Sequence, residues 1–135
     1  MERVRQIGLD ECWELLAGDE VGRLAVLRGG APSITPVNYV VDDGVVVFRT
    51  DHGTKLDHGP RSAAAFEIDH IDHEARTGWS VVLTGRLEEV TPYDGARYER
   101  VSHLPIVPWG GGDKRHWMRL VPLTVSGRRV GPPPD

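Results

Sequence analysis

The sequence predicts a mainly β protein, a small antiparallel barrel of about six strands with two or three short helices. Runs rich in β-branched, aromatic and other apolar residues follow one another closely and are separated by turns that contain glycine, aspartate or proline. Neither GxGxxG nor GxxxxGK[ST] occurs, so the nucleotide-binding motifs of parallel βαβ folds are absent. Strands adjacent in sequence and joined by short turns favour antiparallel pairing.

Composition bounds the class of protein. The 135 residues suit a single domain over the whole chain, and we expect residues 130–135 to form a flexible tail. No apolar run approaches the ~20 residues needed to span a bilayer, and the N-terminal stretch is too polar for a secretory segment. The single cysteine, Cys12, excludes an intrachain disulfide and indicates a reducing, cytoplasmic setting. A formal charge of −4 gives no support to a nucleic-acid partner.

The first predicted element is a short helix over Leu9–Ala17, with Asp10 as its N-cap and Gly18 at its C-terminal end. Its narrow apolar face consists of Cys12, Leu15 and Leu16. No base stands at a spacing that implicates Cys12, so a core or interface position is favoured over a catalytic thiol.

Three strands follow as a predicted meander, over Val21–Arg28, Pro32–Val41 and Val45–Thr50. Pro32 and Pro36 cannot donate to a β-ladder, so the middle strand is expected to lie at an edge or to carry breaks that leave backbone groups open to a ligand. Asn38, inside this apolar run, has two interpretations. Its amide either pairs with the backbone in the core or contacts a ligand.

The end of the third strand carries the main functional signal. Within Val45–Leu56 the apolar run gives way to two cations, two hydroxyl groups and a glycine: Arg49, Thr50, Gly53, Thr54 and Lys55. Such a loop can hold a phosphate, because the cations supply charge and the hydroxyl and backbone N–H groups supply donors. The alternative is a solvated strand end with ordinary surface charges.

A short helix or turn over Lys55–Pro60 and a strand over Ala63–Asp69 come next. The polar residues that follow the strand are interpreted as a strand end and loop in preference to a metal site, since their spacing matches no helical ligand pair. These residues are Asp69, His70, Asp72, His73 and Glu74.

The second half contains two long strands, predicted over Thr77–Val90, with a bulge at Gly85, and over His116–Ser126. Between them Thr91, Pro92 and Asp94 begin a helix that is expected to run to about Ser102 and to direct Tyr93, Ala96 and Val101 inward. The irregular stretch Leu104–Asp113 then carries Trp109, as a pinned loop or as a flap over a ligand.

Six segments of the chain stand in an order that is typical of one known family. They are GRLAV at 22–26, PSITPVNYVVDDG at 32–44, VVFRTDHGTKL at 46–56, AAFEID at 64–69, GWSVVLTGRLEEV at 78–90 and RLVPLTVSGRR at 119–129. On these segments the chain resembles the flavin-binding split β-barrel family, the pyridoxamine 5′-phosphate oxidase-like proteins, and most closely the short bacterial branch that includes nitroimidazole-reductase-like proteins.

The resemblance implies a homodimer of six-stranded split barrels with FMN at the subunit interface; related barrels use a deazaflavin coenzyme, FAD or haem. It implies that one strand lines the flavin ring, that the anion loop holds the ribityl phosphate, and that a later strand and a tryptophan flank the cofactor. The implied residues are Pro36, Val37, Asn38, Arg49, Thr50, Thr54, Lys55, Trp79, Ser80, Val81 and Trp109, with Trp117 as a second tryptophan that could cover the ring.

The expected function is a flavin-dependent oxidoreductase that transfers hydride or electrons to a small molecule, with no protein nucleophile. The rival expectation is a non-catalytic protein that binds or stores a flavin or deazaflavin on the same scaffold, since both functions need the same phosphate loop.

Overall fold

The computed structural model describes residues 4–51, 63–110 and 114–131. The elements, in chain order, are β1 Val4–Ile7, α1 Leu9–Ala17, β2 Val21–Arg28, β3 Ala31–Asp42, β4 Val45–Thr50, β5 Ala63–Asp72, β6 Thr77–Val90, a 3-10 turn over Pro92–Asp94, α2 Ala96–Val101 and β7 His116–Val130. The predicted helix or turn over Lys55–Pro60 lies outside the described residues. None of the described helices is long and apolar enough to cross a membrane.

The strands form one antiparallel sheet that closes on itself. The order β7-β4-β3-β2-β5-β6 returns to β7 through the β6–β7 ladder, which makes a six-stranded barrel. The predicted fold is therefore confirmed, including the meander of β2, β3 and β4. The added strand β1 was not predicted; it is four residues long and pairs with the end of β7.

Closure depends on the length of β7. Its first residues pair with β4, its whole length from Trp117 pairs with β6, and its last four residues pair with β1. The prediction that this strand ends at Ser126 was wrong, since β7 continues to Val130. Residues 127–130 stay in the sheet because they have ladder partners on two sides.

Two apolar clusters surround β4. Val46 and Phe48 belong to the barrel interior, together with Phe66, Leu83 and other buried side chains. Val45 and Val47 face the other way and pack with Val90, Val101, Ile106 and Trp117. The apolar run of β4 is thus explained by burial on both faces.

Two helix predictions need correction. The N-cap of α1 is Gly8 and not Asp10, although the predicted bounds of this helix are confirmed. The single helix predicted from Pro92 is divided by Gly95, whose φ of 61° lies in the left-handed region. Because the turn is broken there, Tyr93 and Ala96 are exposed and only Val101 is buried as predicted.

The bulge predicted near Gly85 is confirmed. Thr84 pairs with Thr124 while Gly85 pairs with Pro122, so β7 contains one extra residue, Leu123, opposite this step. The bend helps β6 and β7 follow the curvature of the barrel.

Candidate functional site

A cavity opens where β3 and β4 part. The two strands pair from Asp42 and Val45 to Tyr39 and Phe48, and the pairing stops there. Beyond this point β3 continues along β2, while Arg49 and Thr50 of β4 continue along β7. The two diverging ends line a cavity of about 160 Å³.

The prolines of β3 lie in the half of the strand that has separated from β4. Within the described ladders, residues 31–38 pair only with β2. This half is therefore an edge, as the two prolines predicted, and alternate backbone groups along it point away from β2. Pro36, Val37 and Asn38 line the cavity from this edge.

Arg49 forms the opposite wall and is held by the chain that precedes β7. Its Nε donates to the carbonyl oxygen of Lys114 at 2.9 Å, and Nη1 donates to that of Ile106 at 3.2 Å. Its guanidinium also lies 4.9 Å from the ring centroid of Trp117, the cross-strand neighbour in β7. The half-buried cation is thus fixed in direction.

Asn38 is bonded to backbone at both ends of its amide. Its Oδ1 accepts the main-chain N–H of Trp109 at 2.8 Å, and its Nδ2 donates to the carbonyl oxygen of Glu20 at 3.4 Å. Of the two interpretations of Asn38, the structure shows the pairing with backbone, at the edge of a cavity and not deep in the core.

Sequence reasoning missed two of the cations that line this cavity, Arg28 and Lys114. Lys114 Nζ pairs with Asp51 Oδ2 at 2.8 Å, just after the end of β4. Lys114 is 65 residues beyond Arg49, and only the closed barrel brings them together. For Arg28, the tight turn at Gly29-Gly30 was a usable signal, because it places that strand end beside the start of β3.

Five of the predicted site residues therefore share one cavity, namely Pro36, Val37, Asn38, Arg49 and Thr50. Thr54 and Lys55 lie outside the described residues. Trp109 stands beside the cavity. Its neighbours Pro108 and Gly110 line it, whereas Trp109, 69% exposed, lines an adjoining cavity of about 390 Å³ with Asp19 and Glu20.

The remaining predicted residues lie elsewhere. Val81 is fully buried in the barrel core, so its side chain is not available to a ligand. Trp79, whose ring stacks at 6.2 Å on His70, and Ser80 line a separate cavity of about 240 Å³ between β5, β6 and β7. Trp117, 8% exposed, is part of the packing around β4 and does not cover an open site.

The separate cavity contains an unusual carboxyl group. Arg23 Nη1 lies 3.2 Å from Glu67 Oε1 and 3.5 Å from Asp69 Oδ2. Partial burial, followed by the hydrogen bond to Asp69 and its negative charge, raises the pKa of Glu67 to about 7, although Arg23 pulls in the other direction.

The acidic and histidine residues after Ala63–Asp69 form the end of β5 and the following turn. Asp72 Oδ1 accepts the main-chain N–H groups of Glu74 and Ala75 at 3.1 and 3.0 Å. Across residues 4–51, 63–110 and 114–131, no group of three or more histidine, cysteine or acidic side chains is placed to hold a metal ion.

Comparison with known proteins agrees with this geometry. The family model described as pyridoxamine 5′-phosphate oxidase matches residues 9–129. The chain belongs to this family. Among its relatives is the uncharacterized protein Rv0080 of Mycobacterium tuberculosis, which is 38% identical over 134 residues, 94% of this chain and 86% of the relative.

Two solved structures of similar fold are named for a ligand. The FAD binding protein from Mycobacterium smegmatis is 31% identical, with a TM-score of 0.77 over 93% of this chain and 98% of the other. An FAD-binding protein from Mesorhizobium loti is 26% identical, with a TM-score of 0.75 over 98% and 100% of the two chains. The pyridoxamine 5′-phosphate oxidase fold of this chain is thus shared over nearly its whole length.

Proposed function

We propose that this protein is a flavin-dependent oxidoreductase that binds FMN in the cavity between β3 and β4 and acts on a small molecule. The observation that carries the proposal is the divergence of β3 and β4, which gives one cavity both a cationic end and a strand edge that has no ladder partner among the described residues. Two family neighbours at 31% and 26% identity are named as FAD-binding proteins, which supports a flavin in this chain.

The residues present suit a flavin nucleotide. The cationic end, with Arg28, Arg49 and Lys114, favours a phosphate, and Thr50 adds a hydroxyl group. Thr54 and Lys55, proposed as further phosphate ligands, follow Thr50 within five residues of sequence. The edge of β3 offers backbone groups and the faces of Pro36 and Val37 to a planar ring. A bound flavin would supply the hydride or electron transfer.

The dimer is part of the same proposal. Small-molecule sites usually measure about 300–1,000 Å³, so a cavity of about 160 Å³ in one chain encloses only part of a flavin. The outer face of β3 and β2 carries exposed Ile34 and Leu27, which a second copy would cover. Trp79 and Ser80 would then flank the cofactor from the partner chain, which accounts for their distance from the cavity.

FMN remains the proposed cofactor, with FAD and a deazaflavin coenzyme as the alternatives. All three carry a phosphate on a ribityl chain, so the cationic end suits each of them. We expect the protein to work in the cytoplasm, where a buried free thiol such as Cys12 stays reduced.

The test of the phosphate site is Lys55→Ala. If Lys55 binds the phosphate, affinity for FMN should fall by about 10- to 100-fold, roughly 1.5–3 kcal/mol for a charge-assisted hydrogen bond. Affinity for riboflavin, which lacks the phosphate, should not change. Titration of the folded variant with both ligands measures the two values, and equal affinity of variant and wild type for FMN would remove Lys55 from the site.

Flavin storage without catalysis is the second candidate, since the two neighbours are named for binding and not for a reaction. The two functions separate under reduction. An oxidoreductase loaded with flavin should be reduced by a nicotinamide donor and reoxidised repeatedly by an added acceptor, whereas a storage protein should show no turnover. Steady-state loss of donor absorbance, with empty protein as the control, distinguishes them.

A further inference from the structure

Arg49 and Asn38, both expected to contact the cofactor, each form hydrogen bonds with the chain that precedes β7. Arg49 binds the carbonyl oxygens of Ile106 and Lys114, eight residues apart in sequence. Asn38 binds the main-chain N–H of Trp109, which lies between them. Three polar contacts from two strands therefore converge on the backbone of residues 106–110 and Lys114, which we call the segment here.

These contacts join the segment to both sides of the diverging strands. Asn38 lies on the part of β3 that has separated from β4, and Arg49 lies at the end of β4. The segment contributes Pro108, Gly110 and Lys114 to the lining of the cavity. Its position thus sets the shape of the third wall and the place of the Lys114 side chain.

The segment gains little from apolar burial of its own. Val107 and Trp109 are 74% and 69% exposed, while Ile106 alone among its first residues reaches the cluster around β4. A segment with few buried apolar contacts has low local stability, so hydrogen bonds to neighbouring strands matter more for holding it in place. Arg49 and Asn38 supply such hydrogen bonds at Ile106, Trp109 and Lys114.

We propose that Asn38 and Arg49 are positioning residues, which fix residues 106–110 and Lys114 as a wall of the cofactor cavity. This inference rests on the proposed function for the identity of the ligand, but not for the contacts themselves. Arg49 adds positive charge to the cavity, while its Nε and Nη1 groups donate hydrogen bonds to the backbone of the wall. A lysine cannot replace it, because one ammonium group cannot span two carbonyl oxygens as the guanidinium does.

The first arm of the test uses the protein without cofactor. Hydrogen exchange of the backbone amides should accelerate at Trp109 by tenfold or more in Asn38→Ala, and across the segment in both Arg49→Gln and Arg49→Lys. Asn38→Asp keeps the acceptor oxygen and should preserve the protection of Trp109. Exchange in β5 and β6 serves as the internal reference, since global destabilisation would raise it too.

The second arm measures affinity for FMN and for riboflavin. If the segment loses its position in Asn38→Ala and Arg49→Lys, the affinities for FMN and for riboflavin should fall by the same factor. The ratio of the two affinities should therefore stay at the wild-type value. Arg28→Gln, a cation of the same cavity at the end of β2, is the matched control. Arg28→Gln should leave the amide exchange rates of the segment unchanged and should lower the affinity for FMN but not the affinity for riboflavin.

The exchange rates and the two affinities together decide whether Asn38 and Arg49 are positioning residues. Unchanged exchange in Arg49→Gln and Asn38→Ala would overturn the inference whatever the ligand proves to be. Accelerated exchange with FMN weakened and riboflavin unaffected would make Arg49 a direct phosphate ligand and would also overturn it. If the wild-type protein binds neither flavin, the proposed function fails while the exchange arm still decides whether the two residues hold the segment.

Discussion

Glu67 shows how a single residue on this barrel can make the stability of the protein depend on pH. It stands beside Asp69 on β5, and both carboxyl groups share the guanidinium of Arg23 on β2. Burial and the neighbouring carboxyl group favour its protonated form, and its pKa rises to about 7. The strand period of two predicts that Glu67 and Asp69 lie on one face. Their pairing with Arg23 depends on the β2–β5 register, which local sequence does not determine.

The pKa of Glu67 predicts a loss of stability as pH rises. Its folded-state pKa lies above its ordinary value of 4.5, so the folded protein binds the proton more tightly than the unfolded chain. The resulting stabilisation is complete below the ordinary pKa and disappears as pH rises through about 7. Relative to Glu67→Gln, the wild type should therefore lose stability between about pH 5 and about pH 8.

Urea midpoints of both proteins across this range measure the effect. Asp69→Asn is the matched variant. It removes the hydrogen-bonding and charge effects that raise the pKa of Glu67, so part of the pH dependence should disappear with it. Parallel curves for wild type and Glu67→Gln would contradict the assignment.

At the scale of elements, helix α1 is attached to the barrel by a buried hydrogen bond. The hydroxyl group of Tyr39, on β3, donates to the carbonyl oxygen of Leu16 at 2.5 Å. The ring of Tyr39 meets Phe66 edge-on at 4.8 Å between centroids. Burial raises the pKa of this hydroxyl group, which stays protonated and available as a donor.

Tyr39→Phe should destabilise the protein by about 1–2 kcal/mol, because the ring packing is kept while the buried carbonyl group of Leu16 loses its partner. Chemical denaturation gives this free energy. Tyr93→Phe is the control. Tyr93 is fully exposed, so removal of its hydroxyl group should change the free energy of unfolding by no more than about 0.5 kcal/mol. A Tyr39→Phe protein as stable as the wild type would show that the bond contributes nothing net.

The elements also show what local sequence can determine. The bounds of β2, β4 and β6 follow from β-branched runs that end at glycine, aspartate or proline, and the structure confirms them. Two mistakes are local, the N-cap of α1 and the break at Gly95, and the others lie where the deciding partner is distant in sequence. Ladders with β6 and β1 extend β7 beyond Ser126, and the bonds of Arg49 and Asn38 to residues 106, 109 and 114 reach 57 to 71 residues along the chain. No periodicity encodes such contacts.

At the scale of the molecule, one face of the barrel is left uncovered by the elements that the structure describes. Helix α2 and Ile106 cover the outer side of β4, but the outer side of β3 and β2 exposes Ile34, at 70%, and Leu27. Exposed apolar side chains grouped on one sheet face are typical of an interaction surface. This face supports the proposed homodimer independently of the family resemblance.

Ile34→Glu should therefore convert a dimer to a monomer, because a charge at the centre of this face cannot be desolvated without a partner. Sedimentation velocity measures the mass. Leu9→Glu is the matched control, since Leu9 is an exposed apolar residue on α1 and belongs to neither β2 nor β3. A wild-type monomer, or a dimer that survives Ile34→Glu, would refute the assignment of the interface.

The central claim is that the cavity between β3 and β4 binds a flavin, and titration of the purified protein tests it most directly. FMN, FAD and a deazaflavin coenzyme are added in turn at fixed ionic strength, and binding is followed by flavin absorbance and fluorescence. We predict saturable binding of at least one of them, which Asn38→Ala and Arg49→Lys weaken. Failure of all three to bind the folded wild-type protein would contradict the proposed function.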